Sequence, residues 1–166
     1  MGGGSSGKRV VYSRHAGKGS HNATLNSYQQ NKTKEEKKKV FISFSMQDKA
    51  QVELLRAQAA NERYELEFID NSLQQPVKGR DWHGPVGTKI EQSDVVIVMI
   101  GEDTHERPAV RWEVETAYKN DVPVIPVRIH GDENHKLPSP IRREGDGAIG
   151  WKLSEIQYEL DNLEED

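Results

Sequence analysis

The sequence predicts an α/β fold with a doubly wound, mostly parallel five-stranded sheet and flanking helices, preceded by a disordered N-terminal tail. Three observations support this class. Short apolar runs rich in β-branched residues recur after residue 39, as expected for strands of a covered sheet. Segments with helical spacing of their apolar residues separate these runs. The connections are also long enough for the crossovers that parallel strands require.

The N-terminal segment differs in charge and composition from the rest of the chain. Residues 1–39 carry nine Lys or Arg residues against two acidic residues, a net charge of +7. Residues 40–166 carry 14 against 25, a net charge of −11. Residues 1–7 are Gly- and Ser-rich, like an artificial linker. We therefore expect a flexible basic tail over residues 1–38 and a folded domain over residues 39–166.

The first half of the domain predicts two strands and two helices. The β-branched and aromatic run Val40–Phe44 is typical of a buried strand. Residues 47–61 have apolar residues at helical spacing and are rich in helix formers. Tyr64–Ile69 predicts the second strand. A polar loop is expected over residues 70–81, followed by a short helix over residues 82–92.

The second half continues the alternation. Val95–Ile100 is the most apolar run of the chain and shows no alternation, which predicts a central strand covered on both faces. Pro108 suits the first turn of a helix that reaches Lys119. Val122–Ile129 predicts a fourth strand, whose prolines indicate bulges or strand ends. We then expect a loop containing Gly131, Pro138 and Pro140, a short strand at Ile149–Lys152, and a closing helix at Ser154–Leu163.

This order of elements is that of a flavodoxin-like sheet, in which a ligand site lies beyond the carboxyl ends of the strands. The chain contains no Cys, which excludes disulfides, thiol nucleophiles and Cys-ligated metals. No HxxxH pair or glycine-rich phosphate loop occurs, so we predict no metal site and no resident cofactor. His130 and His135 could hold a weak adventitious ion, but solvated loop residues are the favoured interpretation.

The sequence also bears on location and on partners. No apolar stretch approaches the roughly 20 residues that a membrane span needs, and the N-terminus lacks the apolar core of a secretory signal. We therefore expect a cytoplasmic protein without a membrane partner. The acidic body argues against nucleic acid as its main partner, because phosphate binding requires a basic face.

Glu113 is the carboxylate that the pattern places nearest to a site. It borders the apolar face of the helix Pro108–Lys119, close to the carboxyl edge of the sheet. A partly buried carboxylate there could stabilise the positive charge that develops on a sugar during cleavage. The spacing alone favours another interpretation, in which Glu113 and Glu115 face solvent and Glu115 pairs with Lys119.

Five segments are informative when taken together. They are Val40–Phe44, Glu67–Asp70, Ser93–Gly101, Val110–Ala117 and Val124–Val127. Their order resembles that of a TIR domain, and the run Val110–Glu115 resembles the bacterial TIR-like family that includes proteins of Thoeris anti-phage systems. The resemblance covers about residues 39–135. It implies a flavodoxin-like TIR fold and, in many members, cleavage of NAD⁺ into nicotinamide and an ADP-ribose-derived, often cyclic, signal.

The resemblance also implies roles for particular residues. Glu113 matches the catalytic glutamate, Ala109 stands where the family has Trp, and Trp112 is the nearby aromatic residue. The resemblance places Phe44 and Ser45 beside the nicotinamide ribose of the substrate. Asp70 begins the long loop that would close over the substrate, and Lys78 and Arg80 of that loop would lie near the pyrophosphate. Trp82 would be a stacking residue or, equally, a core residue.

The resemblance leaves two classes of function open. As an enzyme, the protein would use NAD⁺ as a small-molecule substrate and pass a signal to a downstream effector protein. As a non-enzymatic signalling module, it would act by self-assembly or by docking to a partner. Both alternatives are compatible with a homo-oligomer or a TIR–TIR assembly.

Overall fold

The computed structural model describes residues 37–62, 64, 66–69, 83–131 and 133–163. The predicted tail over residues 1–36 and the predicted loop over residues 70–81 lie outside the described residues. Within the described residues, five strands alternate with five α-helices. These are β1 (Lys38–Ser43), α1 (Lys49–Asn61), β2 (Leu66–Phe68), α2 (His83–Glu91), β3 (Val95–Ile100), α3 (Pro108–Lys119), β4 (Val124–Arg128), α4 (Ser139–Glu144), β5 (Ile149–Gly150) and α5 (Leu153–Asn162).

The five strands form one parallel sheet in the order β2-β1-β3-β4-β5. All six residues of β3 are buried, because β1 and β4 flank it and helices cover both faces. The chain proceeds from β1 to one side to form β2 and then to the other side to form β3. The predicted doubly wound sheet is therefore confirmed, and its topological switch point lies between β1 and β3.

Each face of the sheet is covered by its own set of helices. One face packs against the apolar sides of α1 and α5, which contribute Val52, Leu55 and Ile156 among others. The opposite face packs against α2, α3 and α4, with Ile90 and Val114 at its centre. Apolar spacing of three and four residues within these helices produces the two cores. Side chains of successive strand residues alternate between them.

Two expectations for the second half of the domain are wrong in detail. The segment predicted to be a loop through Pro140 contains α4, and Ile141 of that helix is fully buried. A crossover is needed here because β4 and β5 run parallel. Pro126 lies inside β4 rather than at a bulge or a strand end. β5 pairs only with Val127 and Arg128, so the missing N–H of Pro126 does not interrupt that ladder.

Membrane insertion through a helix finds no support in the part of the chain that the structure describes. None of its helices combines the length and the apolar character that a bilayer crossing demands.

Candidate active site

The carboxyl ends of β1 and β3 bring a group of polar side chains to the switch point of the sheet. Ser43 is the last residue of β1, and Ser45 follows two residues later in extended backbone. Asp103 and Thr104 come shortly after β3, and α3 begins at Pro108 on the same edge. In open α/β sheets this crevice is where ligands bind, so the local geometry defines a candidate site.

Glu113 is buried at this site with 2% of its surface exposed. It lies on α3 beside the apolar side chains of Val110, Val114 and Ala117, all of which pack against the sheet. Burial raises the pKa of Glu113 to about 8, while the hydroxyl of Ser43 acts in the opposite direction. The carboxyl group is therefore mostly protonated at neutral pH.

The alternative based on helical spacing alone is wrong, because Glu113 does not face solvent. Glu115 does reach the surface, and its carboxylate lies 3.2 Å from a guanidinium nitrogen of Arg143 on α4. Glu113 lies among the buried residues of α3, next to Ser43 at the end of β1.

The side chains of Ser45 and Phe44 point to opposite faces of the sheet, because successive residues of an extended strand alternate between faces. Phe44 is half-buried and packs on the face covered by α1 and α5, opposite the face that holds Glu113. Ser45 is 1% exposed and lies near Asp103. Ser43, the last residue of β1, is the serine that faces Glu113. A polar residue inside an otherwise apolar buried strand was the available signal for it.

Two carboxylates from the ends of β1 and β3 meet beside Ser45. Asp48 is 6% exposed, and its pKa is raised by burial and by the Asp103 carboxylate. The Asp103 carboxylate accepts two contacts from Arg107, with Nε at 2.7 Å. Burial raises the pKa of Asp103, but the Ser45 hydroxyl and the Arg107 guanidinium outweigh burial and lower it. The environment thus drives the two pKa values apart.

The backbone after β3 is fixed in a way that accommodates Asp48. The N–H of Gly101 donates to Thr104 Oγ1 at 2.8 Å, and the Thr104 hydroxyl lies 3.3 Å from the carbonyl oxygen of Met99. A methyl group added at Gly101 would lie 2.4 Å from Asp48 Oδ2. Only glycine therefore allows the Asp48 carboxylate to rest against this strand end.

His130 and His135 contact each other at the end of β4. The rings of His130 and His135 lie edge to face with centroids 6.2 Å apart, and His135 Nε2 lies 2.5 Å from a carboxylate oxygen of Glu133. No group of three or more His, Cys, Asp or Glu side chains suited to a metal occurs among the residues that the structure describes. Asp132, the other acidic residue of this loop, lies outside them.

Four expected substrate-site residues lie outside the described residues. They are Asp70, Lys78, Arg80 and Trp82, and their roles stay predictions. Trp112, the aromatic residue near the expected position of the family tryptophan, is described. Its ring stacks on His83 with centroids 4.2 Å apart and an interplanar angle of 6°. Trp112 thus links α3 to the first residue of α2.

A surface groove of about 880 Å³ lies elsewhere, on the face covered by α1 and α5. Tyr64, Trp151 and Ile129 are among its lining residues, and Trp151 Nε1 donates to Gln58 Oε1 at 3.1 Å. Glu113 belongs to the opposite face of the sheet. The groove is therefore not the space that would bring a substrate to Glu113.

A parallel sheet of order 2-1-3-4-5 with helices on both faces defines the flavodoxin-like class of doubly wound domains. Residues 41–134 match the sequence family described as Thoeris protein ThsB, TIR-like domain. This match spans more than half of the chain, and the chain belongs to that family. No curated protein sequence matches it.

The solved structures that share the fold include two that show the extent of the likeness. The TIR domain of the Toll-related receptor TRR-2 from Hydra magnipapillata is 13% identical, with a TM-score of 0.51 over 72% of this chain and 88% of that chain. A prokaryotic SEFIR domain is 23% identical, with a TM-score of 0.51 over 78% of this chain and 94% of that chain. At these identities the likeness concerns the fold alone.

Proposed function

We propose that this TIR-like domain cleaves NAD⁺ at the nicotinamide–ribose bond, with Glu113 as the catalytic residue. The products are nicotinamide and an ADP-ribose-derived signal, which would act on a downstream effector in bacterial anti-phage defence. The observation that supports this function is a carboxyl group with 2% exposure at the topological switch point of the sheet. Helix α3 and the end of β1 hold it there.

The chemistry requires the ionised form of Glu113. In NAD⁺ the C1′–N bond breaks with its electron pair moving to the pyridinium nitrogen, so nicotinamide departs as a neutral molecule and needs no proton donor. Positive charge develops on the ribose, and a nearby carboxylate stabilises it. Attack by water or by a hydroxyl of the same molecule at C1′ completes the reaction, and the attacking oxygen releases its proton to solvent.

The burial of Glu113 would strengthen its stabilisation of positive charge on the ribose. In the free protein the carboxyl group is held mostly neutral, because burial penalises its charge. A bound nicotinamide ring carries a positive charge, which favours the carboxylate at the moment of reaction. In an apolar surrounding such a charge pair is stronger than it is in water. Apolar neighbours such as Val110 and Val114 would thus strengthen transition-state stabilisation.

The direct experiment measures nicotinamide release from NAD⁺ by mass spectrometry, with concentrated protein, for the wild type and Glu113→Gln. The amide is nearly isosteric but cannot carry the charge, so turnover should fall by about 100-fold or more. Glu115→Gln makes the same chemical change on the exposed side of the same helix and should retain activity.

Each outcome has a distinct meaning. Release that disappears only in Glu113→Gln, with both variants folded, supports the enzyme, and the mass of the co-product identifies the signal. Release that persists in a folded Glu113→Gln variant removes this residue from the mechanism. No release from the wild type, even with lysate of phage-infected cells or at concentrations that promote TIR assembly, would favour the non-enzymatic signalling module.

A further inference from the structure

Glu113 lies at the border of the buried side of α3 rather than at its centre. Successive residues of an α-helix are rotated by about 100° around its axis, so Val110, Val114 and Ala117 lie together on the side that packs against the sheet. Glu113 lies at the edge of this group, yet only 2% of its surface is exposed. Its flank that faces away from Val114 therefore needs a cover.

Trp112 lies on that flank. It precedes Glu113 by one residue, so its side chain leaves α3 on the side of Glu113 opposite to Val114. The Trp112 side chain is half-buried and packs against the core that α2 and α3 share. Ala109, one turn before Glu113 at the same border, is exposed and too small to cover a carboxyl group. Trp112 is therefore the large apolar side chain that α3 offers on this flank.

Helix α2 holds the Trp112 ring at two points. The ring stacks on the imidazole of His83 with centroids 4.2 Å apart and an interplanar angle of 6°. A methyl group added at Gly87 would lie 3.5 Å from Cη2 of Trp112, so the tip of the ring lies close to the α2 backbone. Flat stacking on one side and the backbone at the tip together restrict the orientation of the indole.

We propose that Trp112, held by its stack on His83, is a positioning residue that closes the flank of Glu113 against water and fixes the rotation of α3 on the sheet. The inference rests on the proposed function, because the dryness of this site affects a reaction only if the Glu113 carboxylate takes part in it. Without water beside it, a carboxylate stabilises a positively charged ribose more strongly. Trp112 achieves this without touching the substrate.

An electrostatic role of His83 is the alternative explanation. The end of β1 presents the Ser43 hydroxyl to Glu113, and Glu115, the other acidic residue of α3, reaches the surface. The His83 imidazole of α2 lies against the Trp112 ring. When protonated, it would favour the ionised form of Glu113 through its charge. His83→Phe separates the two explanations, because it keeps a flat ring for the stack and removes the charge.

The test follows the Glu113 carboxyl carbon by NMR through a pH titration of the full chain labelled with carbon-13 at its glutamate side chains. The pKa of Glu113 should be about 8 in the wild type. Trp112→Ala should lower it by about one pH unit or more, because water then reaches the carboxyl group. His83→Ala should lower it by a smaller amount, since Trp112 loses the ring that holds it. Trp112→Phe and His83→Phe should retain most of the wild-type value.

Tyr118→Ala is the matched control. It removes an aromatic ring from the opposite border of α3, where Tyr118 packs against the same core and donates to Asp146 Oδ2 at 2.7 Å. This variant should lose thermal stability without moving the pKa of Glu113. If Trp112→Ala does not fold, His83→Ala decides the question, because His83 is half-buried at the first residue of α2.

Three results would overturn the proposal. An unchanged pKa of Glu113 in the folded Trp112→Ala and His83→Ala variants would make Trp112 an ordinary packing residue. An equal shift in Tyr118→Ala would mean that any loss of packing on α3 has this effect. A shift in His83→Phe as large as that in His83→Ala would assign the effect to the imidazole charge.

Nicotinamide release gives a second measurement. At roughly pH 10 the carboxylate is ionised in every variant, and kcat/KM of Trp112→Ala should be about 10-fold or more below that of the wild type, because water screens the carboxylate from the ribose. The pH at which kcat/KM levels off should also move to a lower value. A mere loss of folded protein would lower the rate without moving that pH.

The two proposals can fail separately. Loss of nicotinamide release in Glu113→Gln, with an unchanged pKa of Glu113 in Trp112→Ala, would retain the enzyme and reject the role of Trp112. A pKa of Glu113 that depends on Trp112, in a protein that releases no nicotinamide, would retain the shielding by Trp112 and reject the proposed reaction.

Discussion

Replacement of Glu113 by Gln should change how the stability of the domain depends on pH. The pKa of this carboxyl group is about 8 in the folded protein against an ordinary value of 4.5. Below the ordinary value the group is neutral in both folded and unfolded chains and costs nothing. Between the two values the unfolded chain is ionised and the folded chain is not, so the free energy of unfolding falls as pH rises. Above about 8 the cost is constant.

The magnitude follows from the pKa difference. Each tenfold change in proton affinity corresponds to about 1.4 kcal/mol, so the full cost of the ionised and buried carboxylate is about 5 kcal/mol. Between roughly pH 5 and pH 8 the cost grows by about 3–4 kcal/mol, a large part of the 5–15 kcal/mol that stabilises a typical domain. Gln does not ionise, so the variant should gain this amount relative to the wild type over the same range.

The assay is urea denaturation of the wild type and Glu113→Gln at several pH values, with Glu115→Gln as the matched control. All other titrating groups are common to the proteins, so they cancel in the difference between the free energies of unfolding. The absolute offset of Glu113→Gln also contains the cost of its amide hydrogens, and only the change with pH is diagnostic. A difference that stays constant within about 0.5 kcal/mol would refute the burial of a neutral Glu113.

Three further predictions address the strand end, the cap of α4 and the reaction. Gly101→Ala places a methyl group 2.4 Å from Asp48 Oδ2, so urea denaturation should show a loss of about 1–3 kcal/mol. The loss should shrink in an Asp48→Ala background, and an equal loss there would contradict the contact. Gly145 follows the last residue of α4 and has a φ of 78°. Gly145→Ala should therefore lower the free energy of unfolding by about 1 kcal/mol. An unchanged free energy of unfolding would argue against this helix cap. For nicotinamide release, kcat/KM should rise with pH and level off near the pKa of Glu113, which is about 8. A kcat/KM that stays constant from roughly pH 6 to pH 9 would contradict the need for the ionised carboxylate.

Local patterns in the sequence were sufficient to predict most of the strands and helices. The unbroken apolar run Val95–Ile100 and the helix Pro108–Lys119 have the bounds that the sequence predicts. Their signals are properties of short segments, because side-chain spacing and the preference of proline for a first helical turn act within a few residues. The order of strands and helices then favours a parallel doubly wound sheet before any contact is known.

Short elements were less predictable. Helix α4 has only six residues, two of which are basic residues in its last turn. A segment this short cannot show the repeated spacing of apolar residues by which a helix is recognised in a sequence. Helix α4 forms because Ile141 is fully buried in the core beneath α3 and because Gly145 ends it in a left-handed conformation. Helices of this length owe their stability to tertiary packing. Pro140, which suggested a loop, is compatible with the first turn, where its missing N–H has no partner to lose.

The sequence by itself determined the fold class, and with the family resemblance it also indicated Glu113 as the candidate carboxylate. Only the tertiary structure decided that Glu113 is buried opposite Ser43, that Phe44 lies on the other face, and that Asp48 and Asp103 meet beside Ser45. These facts depend on strand pairing between residues more than 50 positions apart in the chain. Burial and charge proximity arise from such pairings, and no local pattern of residues encodes them.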